Sequence, residues 1–345
     1  MCIRDRSYLT MSAMIGPVLG PPVGGFVTTY ASWRWIFFLN VPIGIVGAVL
    51  VWFFLENYRE EDSPAFDWIG FVATGIAIAT LVLDCDLVVQ PEASVAVIAG
   101  LFLVSIASGA FAAWYMLRRS APIVDLTLFR ISSFSVGVGA GALFRIGAGG
   151  VSYLIAILLQ VNMGMTAFVS GLITIAAAVS SLTMKIAIPP TLRRWGFRSV
   201  LLGNGFISAA AIAACAAIGL STPLYAVFLV LLVGGFFRSL QYTGLTTLGY
   251  ADIPNHRTSA ATSFSSMMMQ VMNGMGVAVA AVLLHVMQLV RGEPATIVSV
   301  DDIRMVFVLT ALIALSACFF YARLAPDAGA EVSGHGRAPV SVAAD

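Results

Sequence analysis

Residues 16–25 read GPVLGPPVGG, and they lie inside an apolar run that extends from about residue 8 to residue 31. In a water-soluble helix each of these glycines would cost about 1 kcal/mol, and each proline about 3 kcal/mol, relative to alanine. Inside a bilayer such residues are tolerated, because packed neighbours satisfy the backbone groups that a kink frees. Gly16, Gly20 and Gly24 recur every four residues and Gly25 follows directly, so a helix here carries one glycine-lined face. Pro17, Pro21 and Pro22 remove backbone donors and predict a kink. The simplest role for such a face is close packing against a neighbouring helix. A kinked, glycine-faced helix would also let two groups of helices close tightly and seal one side of a pathway.

The surrounding chain repeats the pattern of that run. Hydrophobic residues make up 59% of the sequence and charged residues only 10%, against roughly 25% charged in soluble domains. A bilayer core takes about 20 mostly apolar residues per helix. Ten such runs can be read: 8–31, 36–55, 67–87, 93–117, 132–161, 167–189, 198–220, 223–248, 259–288 and 303–324. They are continuous and do not alternate, which excludes a membrane β-barrel. The fold class is therefore an all-α integral membrane protein with about ten transmembrane helices and no soluble domain of any size.

Charge orients the chain, since Lys and Arg accumulate on the cytoplasmic side. With the first helix starting inside, the inside segments hold thirteen Lys and Arg residues, among them Arg118, Arg119, Arg130, Lys185, Arg193, Arg194 and Arg257. The outside loops hold three, Arg34, Arg291 and Arg304. The front of the chain, MCIRDR (1–6), is charged and abrupt and does not resemble a signal peptide. The tail, 325–345, is small-residue and polar and predicts a disordered cytoplasmic segment.

Several function classes lose support. Cys2, Cys85, Cys215 and Cys318 are scattered, as are His256, His285 and His335, so no metal site and no cofactor is expected. An enzyme would need a cluster of titratable groups in a cavity, and none is visible. A net charge of +1 gives no reason to expect nucleic acid as a partner.

The stretch at 16–25 is similar to the antiporter motif of the major facilitator superfamily, G-x-x-x-G-P-x-x-G-G, matched by Gly16, Gly20, Pro21, Gly24 and Gly25, with Pro17 between them. ASWRWIFFLNVPIG (31–44), DWIG (67–70), PIVDLTLF (122–129), RSLQYTGLTTLGYADIP (238–254) and SAATSFSSMMMQVMNGMGVA (259–278) resemble the fourteen-helix drug:proton antiporters of that superfamily. In KIAIPPTLRRWGFR (185–198) Gly196 matches the superfamily's loop motif, but Pro189 and Arg193 stand where Gly and Asp are expected. An acid-based loop latch is not expected there.

The resemblance implies a multidrug-type antiporter of the bacterial inner membrane, exporting small amphiphilic compounds in exchange for protons by alternating access. Its partners would be the lipid bilayer and a periplasmic adaptor protein. An exporter of a specific metabolite, such as an organic acid or amino acid, is the alternative. The family carries the motif on its fifth helix, so ten helices imply a chain without the first four. Residues 1–55 would then be the end of the N-terminal bundle, 67–117 a two-helix insert, and 132–324 the C-terminal six-helix bundle. The coupling acid and its partner arginine, which the family places on its first and fourth helices, would lie outside 1–345, so no proton-coupled transport is expected of residues 1–345 alone.

Candidate substrate-binding residues come from charges and polar groups at depth. Arg145 and Arg238 are lone charges within spans, and an arginine at a bilayer centre costs about 2.5–3.5 kcal/mol on insertion scales, so it is rarely idle. The resemblance implies that both helices line the central cavity. The alternative for Arg145 is a structural guanidinium at a helix break marked by Gly147, Gly149 and Gly150. Gln241 and Tyr242 follow Arg238 at helical spacing, and Gln160, Gln270 and Asn273 add polar groups that could bind substrate or join helices. Met267, Met268, Met269, Met272 and Met275 could form an adaptable surface or plain packing. Asp67, Asp84, Asp86, Asp125 and Asp252 read as helix ends and loops. Two deep arginines without a deep acid favour anionic or neutral substrates over lipophilic cations.

Overall fold

The computed structural model describes Gly16 and residues 19–54, 66–90, 93–119, 122–292 and 298–333. Among these residues there are helices and turns and no strand. Helix α1 is described at 19–30. It is followed by α2 (Arg34–Phe54), α3 (Trp68–Val88) and α4 (Val95–Arg118). Helix α5 runs Ser132–Asn162 and contains two wider π-helical turns, Ser135–Ala140 and Leu158–Asn162. The trace Ala167–Ala214 breaks at Gly196 (φ 69°, ψ 165°), which makes two helices, α6 (167–195) and α7 (197–214). The left-handed turn there needs glycine, the residue that matched the loop motif. Helices α8 (Leu224–Ala251), α9 (Thr258–Arg291) and α10 (Val300–Tyr321) complete the chain.

Eight described helices are long and apolar enough to cross a membrane. One of them, Ala167–Ala217, holds the expected spans 167–189 and 198–220 on either side of Gly196. The first expected span is described only in part, and Pro17 lies outside the described residues. The ten apolar runs thus correspond to ten helices.

Helices α5–α10 share one core, in which Phe144, Leu154, Leu201, Leu245, Phe307 and Tyr321 are wholly buried. Glycine lets these helices meet at backbone distance. A Cβ on Gly147 would fall 2.5 Å from the Thr310 carbonyl oxygen, and one on Gly276 would fall 2.6 Å from that of Ile146. The glycines beside Arg145 are packing faces, and α5 is interrupted by a one-residue turn at Gly150, whose backbone stays right-handed (φ −70°, ψ −17°).

Helices α3 and α4 form a hairpin, joined where the Ser105 hydroxyl donates to the Ala77 carbonyl (2.9 Å). Asp84 is buried on the same face of α3 as Ala73, eleven residues or about three turns earlier, and its Oδ1 has no hydrogen-bond partner among the described residues. Asp84 thus lies within the helix, a turn short of its end. Helix α2 has no buried residue against the other described helices and is apolar along its length. All six tryptophans, Trp33, Trp35, Trp52, Trp68, Trp114 and Trp195, lie on the outer surface, 51 to 84% exposed, at or near helix ends. Membrane proteins place this residue at the two interfaces.

Two carboxylates tie the hairpin and its following loop to the rest. Asp67, 3% exposed, accepts from the Gly70 backbone N–H at the start of α3 (3.0 Å) and from that of Ile123 (3.2 Å), with Arg119 Nε at 3.8 Å. Asp125 takes the Thr127 N–H (3.0 Å) and an ion pair from Arg257, just before α9. Burial raises the Asp125 carboxyl, but hydrogen bonds from Thr127 and Arg257 and the Arg257 charge outweigh it and hold the group below the usual carboxylate range. The stability this clamp contributes is present above that range and is lost as the pH falls through the lowered value. Asp67→Ala removes a cap and a loop tie together. Its expected cost is about 1–2 kcal/mol, read as a lower melting temperature and faster proteolysis within 119–125. An unchanged melting temperature would show that the carboxylate holds nothing.

The tail differs from expectation over its described part. Residues 325–333 form turns and a short helix, Ala330–Ser333, and Gly329 (φ 68°) lies against the Phe197 ring. The apolar Leu324 and Ala328 join the core and anchor this stretch. The remainder of the tail lies outside the described residues.

Candidate functional site

A cavity of about 1150 Å³ opens between α1, α5, α6, α8 and α9, with Ile36 at the start of α2 on its rim. Its wall is mainly apolar or small. Small residues contribute much of it, Ala148 and Gly149 from α5, Gly171 and Ala177 from α6 and Gly274 from α9, and a Cβ on Gly274 would meet nothing within 4 Å.

Helix α1 closes on α6 along the glycine face. A Cβ on Gly171 would lie 2.5 Å from the Pro21 carbonyl oxygen, and one on Gly25 would overlap the Ala167 carbonyl. At the same crossing the Phe168 backbone N–H donates to the Thr29 hydroxyl (3.2 Å), and the Phe168 ring meets Phe26 and Tyr30 edge-on. Pro21, Gly24 and Gly25 line the cavity, whereas Gly16 and Gly20 have nothing described near them.

Arg238, Tyr242, Gln160, Gln270 and Asn273 all line the cavity. Gln160 sits in the second π turn of α5 and donates to the Ser170 hydroxyl (3.4 Å). The extra residue of such a turn re-aims side chains, and these turns recur at functional sites. The Asn273 amide oxygen has no hydrogen-bond partner among the described residues. Arg238 has neither an ion-pair nor a hydrogen-bond partner among them. Of the methionines, Met269 reaches the cavity, Met267 lines a separate apolar cleft against α3, and Met275 is buried.

Two expected members lie elsewhere. Arg145 is 3% exposed and is not on the cavity wall. Its guanidinium lies 5.6 Å from the centre of the Tyr242 ring, and its Nη2 donates to the Thr246 hydroxyl (3.2 Å). Among the described residues Arg145 Nε has no hydrogen-bond partner and no carboxylate pairs with Arg145. It stands one layer behind the wall, with Tyr242 between it and the space. Gln241 is fully buried toward α7, accepting from Asn204 Nδ2 (2.7 Å) and donating to the Leu201 carbonyl (3.2 Å). Helical geometry explains the split. From Arg238, a step of four residues turns the side chain by about 40° and a step of three by about 60° the other way. Tyr242 thus stays with Arg238, and Gln241 swings to the neighbouring helix. The asparagine that holds it, Asn204, is the residue the sequence reading did not single out, although a lone amide in an apolar span was the signal for it.

A sequence profile described as the Major Facilitator Superfamily matches residues 7–277. A relative from Serratia proteamaculans named for multidrug resistance, MdtD, is 34% identical over 285 residues, covering 81% of this chain and 58% of its own. MdtD of Pectobacterium atrosepticum is 33% identical over 331 residues, 93% of this chain and 69% of the relative. MdtD of Yersinia enterocolitica is 34% identical over 304 residues, 84% and 62% of the two. The chain therefore spans between 58% and 69% of the length of these curated relatives.

Proposed function

From the premise that the chain belongs to the major facilitator superfamily, we propose that it serves secondary active transport, exporting small amphiphilic compounds of the multidrug type in exchange for protons by alternating access. The observation that carries this reading is the cavity. A wide, mostly apolar space with a few convergent polar groups, Arg238, Tyr242, Gln160, Gln270 and Asn273, is the form a site for such compounds takes. The close crossing of α1 and α6 supplies the seal that alternating access requires at one end. The antiporter motif at 16–25 supports proton exchange, and the positive-inside bias supports an orientation in the bacterial inner membrane with that crossing on the outer side. The names of the MdtD relatives accord with this substrate class. A periplasmic adaptor protein fits an exporter in this location.

The test uses inverted membrane vesicles carrying the protein as its host makes it. They are offered a panel of amphiphiles of either charge and of none. Saturable accumulation of at least one compound is expected, and a protonophore should stop it. Accumulation no greater than in vesicles lacking the protein, across the whole panel, would overturn the proposal.

A further inference from the structure

We infer that the cavity is selective for anionic amphiphiles, molecules with an apolar body and a carboxylate head, and that the Arg238 guanidinium receives the head. The inference rests on the reading of the cavity as the substrate site and names the class of substrate it takes.

Among the described side chains of the wall, Arg238 carries the only formal charge. No described Asp, Glu, Lys or His lines the space. An arginine on an ion-paired wall would be spoken for, but this one has no ion-pair or hydrogen-bond partner among the described residues. Its donors are left to whatever occupies the cavity. A single guanidinium offers two parallel N–H groups, a fork that matches one carboxylate.

The second arginine adds to the same sign. Arg145 lies behind Tyr242, over its ring, without a described carboxylate to offset it. Two positive charges thus act on a low-dielectric space from one side, and a cleft lined by one sign concentrates ligands of the other. A lipophilic cation entering the cavity would meet both guanidinium groups and no described compensating acid. Beside Arg238 the wall supplies what an apolar body needs, in Ala148, Val151, Ile155, Leu231 and Val277.

The test compares three probes that differ only in the head: 4-phenylbutyrate, protonated 4-phenylbutylamine and neutral 4-phenylbutanol. Binding to the purified protein is measured by equilibrium dialysis at pH 7. The acid is expected to bind about tenfold tighter than the amine, and Arg238→Gln should cut that preference to a small remainder set by Arg145, chiefly by weakening the acid. Arg238→Lys, which keeps the charge and loses the fork, should keep the preference at lower affinity. An amine that binds the unaltered protein as tightly as the acid does would overturn the inference, and so would an acid affinity that Arg238→Gln leaves unchanged. Either result leaves the cavity standing as a site for amphiphiles. Saturable binding of none of the three would overturn the reading of the cavity itself, and the inference with it. The comparison among heads on the unaltered protein decides the matter even if both variants fail to fold.

Discussion

Replacing Gly171 by leucine is expected to abolish export by the protein as its host makes it, while leaving its abundance in the membrane close to normal. The side chain would begin 2.5 Å from the Pro21 carbonyl oxygen and 2.9 Å from its carbon, so α1 must move away from α6. Backbone cannot yield as a flexible side chain can, and overpacking of this kind costs about 1–3 kcal/mol. The core shared by α5–α10 does not use α1, so the cost falls on the crossing. If that crossing is the seal, a protein that cannot form it leaks or stays open. Gly203→Ala is the control, because a Cβ there meets nothing within 4 Å. Export and abundance are measured together. Normal export by Gly171→Leu would show that the crossing closes nothing, and equal loss of export and abundance would mark it as a folding contact only.

The second large effect concerns Arg145, and its sign in stability is opposite to that of most buried residues. A buried guanidinium with one described hydrogen bond, an unpartnered Nε and no described carboxylate is an uncompensated charge. Replacing a buried ionic group by an apolar one of similar size is often neutral or stabilising by about 1–4 kcal/mol. Arg145→Met should therefore melt no lower than the unaltered protein, and by several degrees higher if the full value is realised. Export should nevertheless fall by about tenfold or more, because Tyr242 loses the cation that backs its ring and the cavity loses one of its two nearby positive charges. Arg145 is on this view a positioning residue. A lower melting temperature with normal export per molecule would make it a structural one.

Which of these features could be read from the chain follows from the physics of the bilayer. The apolar runs and the glycine face are legible because length and spacing are local properties, whereas α6 runs past the expected end at 189, through Pro189 and Pro190, to the break at Gly196. The facing of each side chain is not legible. In a soluble helix the apolar stripe points to the core, but in a membrane helix lipid and core are both apolar, and the pattern falls silent. Arg145 and Arg238 therefore look alike as lone charges at depth, although one lines the cavity and the other stands behind it. Gln241 and Tyr242 are likewise indistinguishable until α7 brings Asn204 to one of them. Asp67 was readable in kind, as a carboxylate ahead of a helix. That the same carboxylate would also hold Ile123, 56 residues on, was not, because the loop reaches it only through the tertiary fold. Asp84 shows the limit in the other direction. One residue before Cys85 and two before Asp86 it reads as part of a polar helix end, but eleven residues from Ala73 it falls on the buried face of the hairpin.

The placement of the tryptophans decides how the protein can be observed. With all six exposed among the described residues and none on the cavity wall, intrinsic fluorescence reports the outer surface of the described helices. Quenching by brominated lipids would show which of these indoles reach the bilayer, and at what depth. A ligand entering the cavity leaves that emission nearly untouched. Binding has to be followed through the ligand, or through an indole introduced at the wall, for which Tyr242 offers an aromatic site already facing the space.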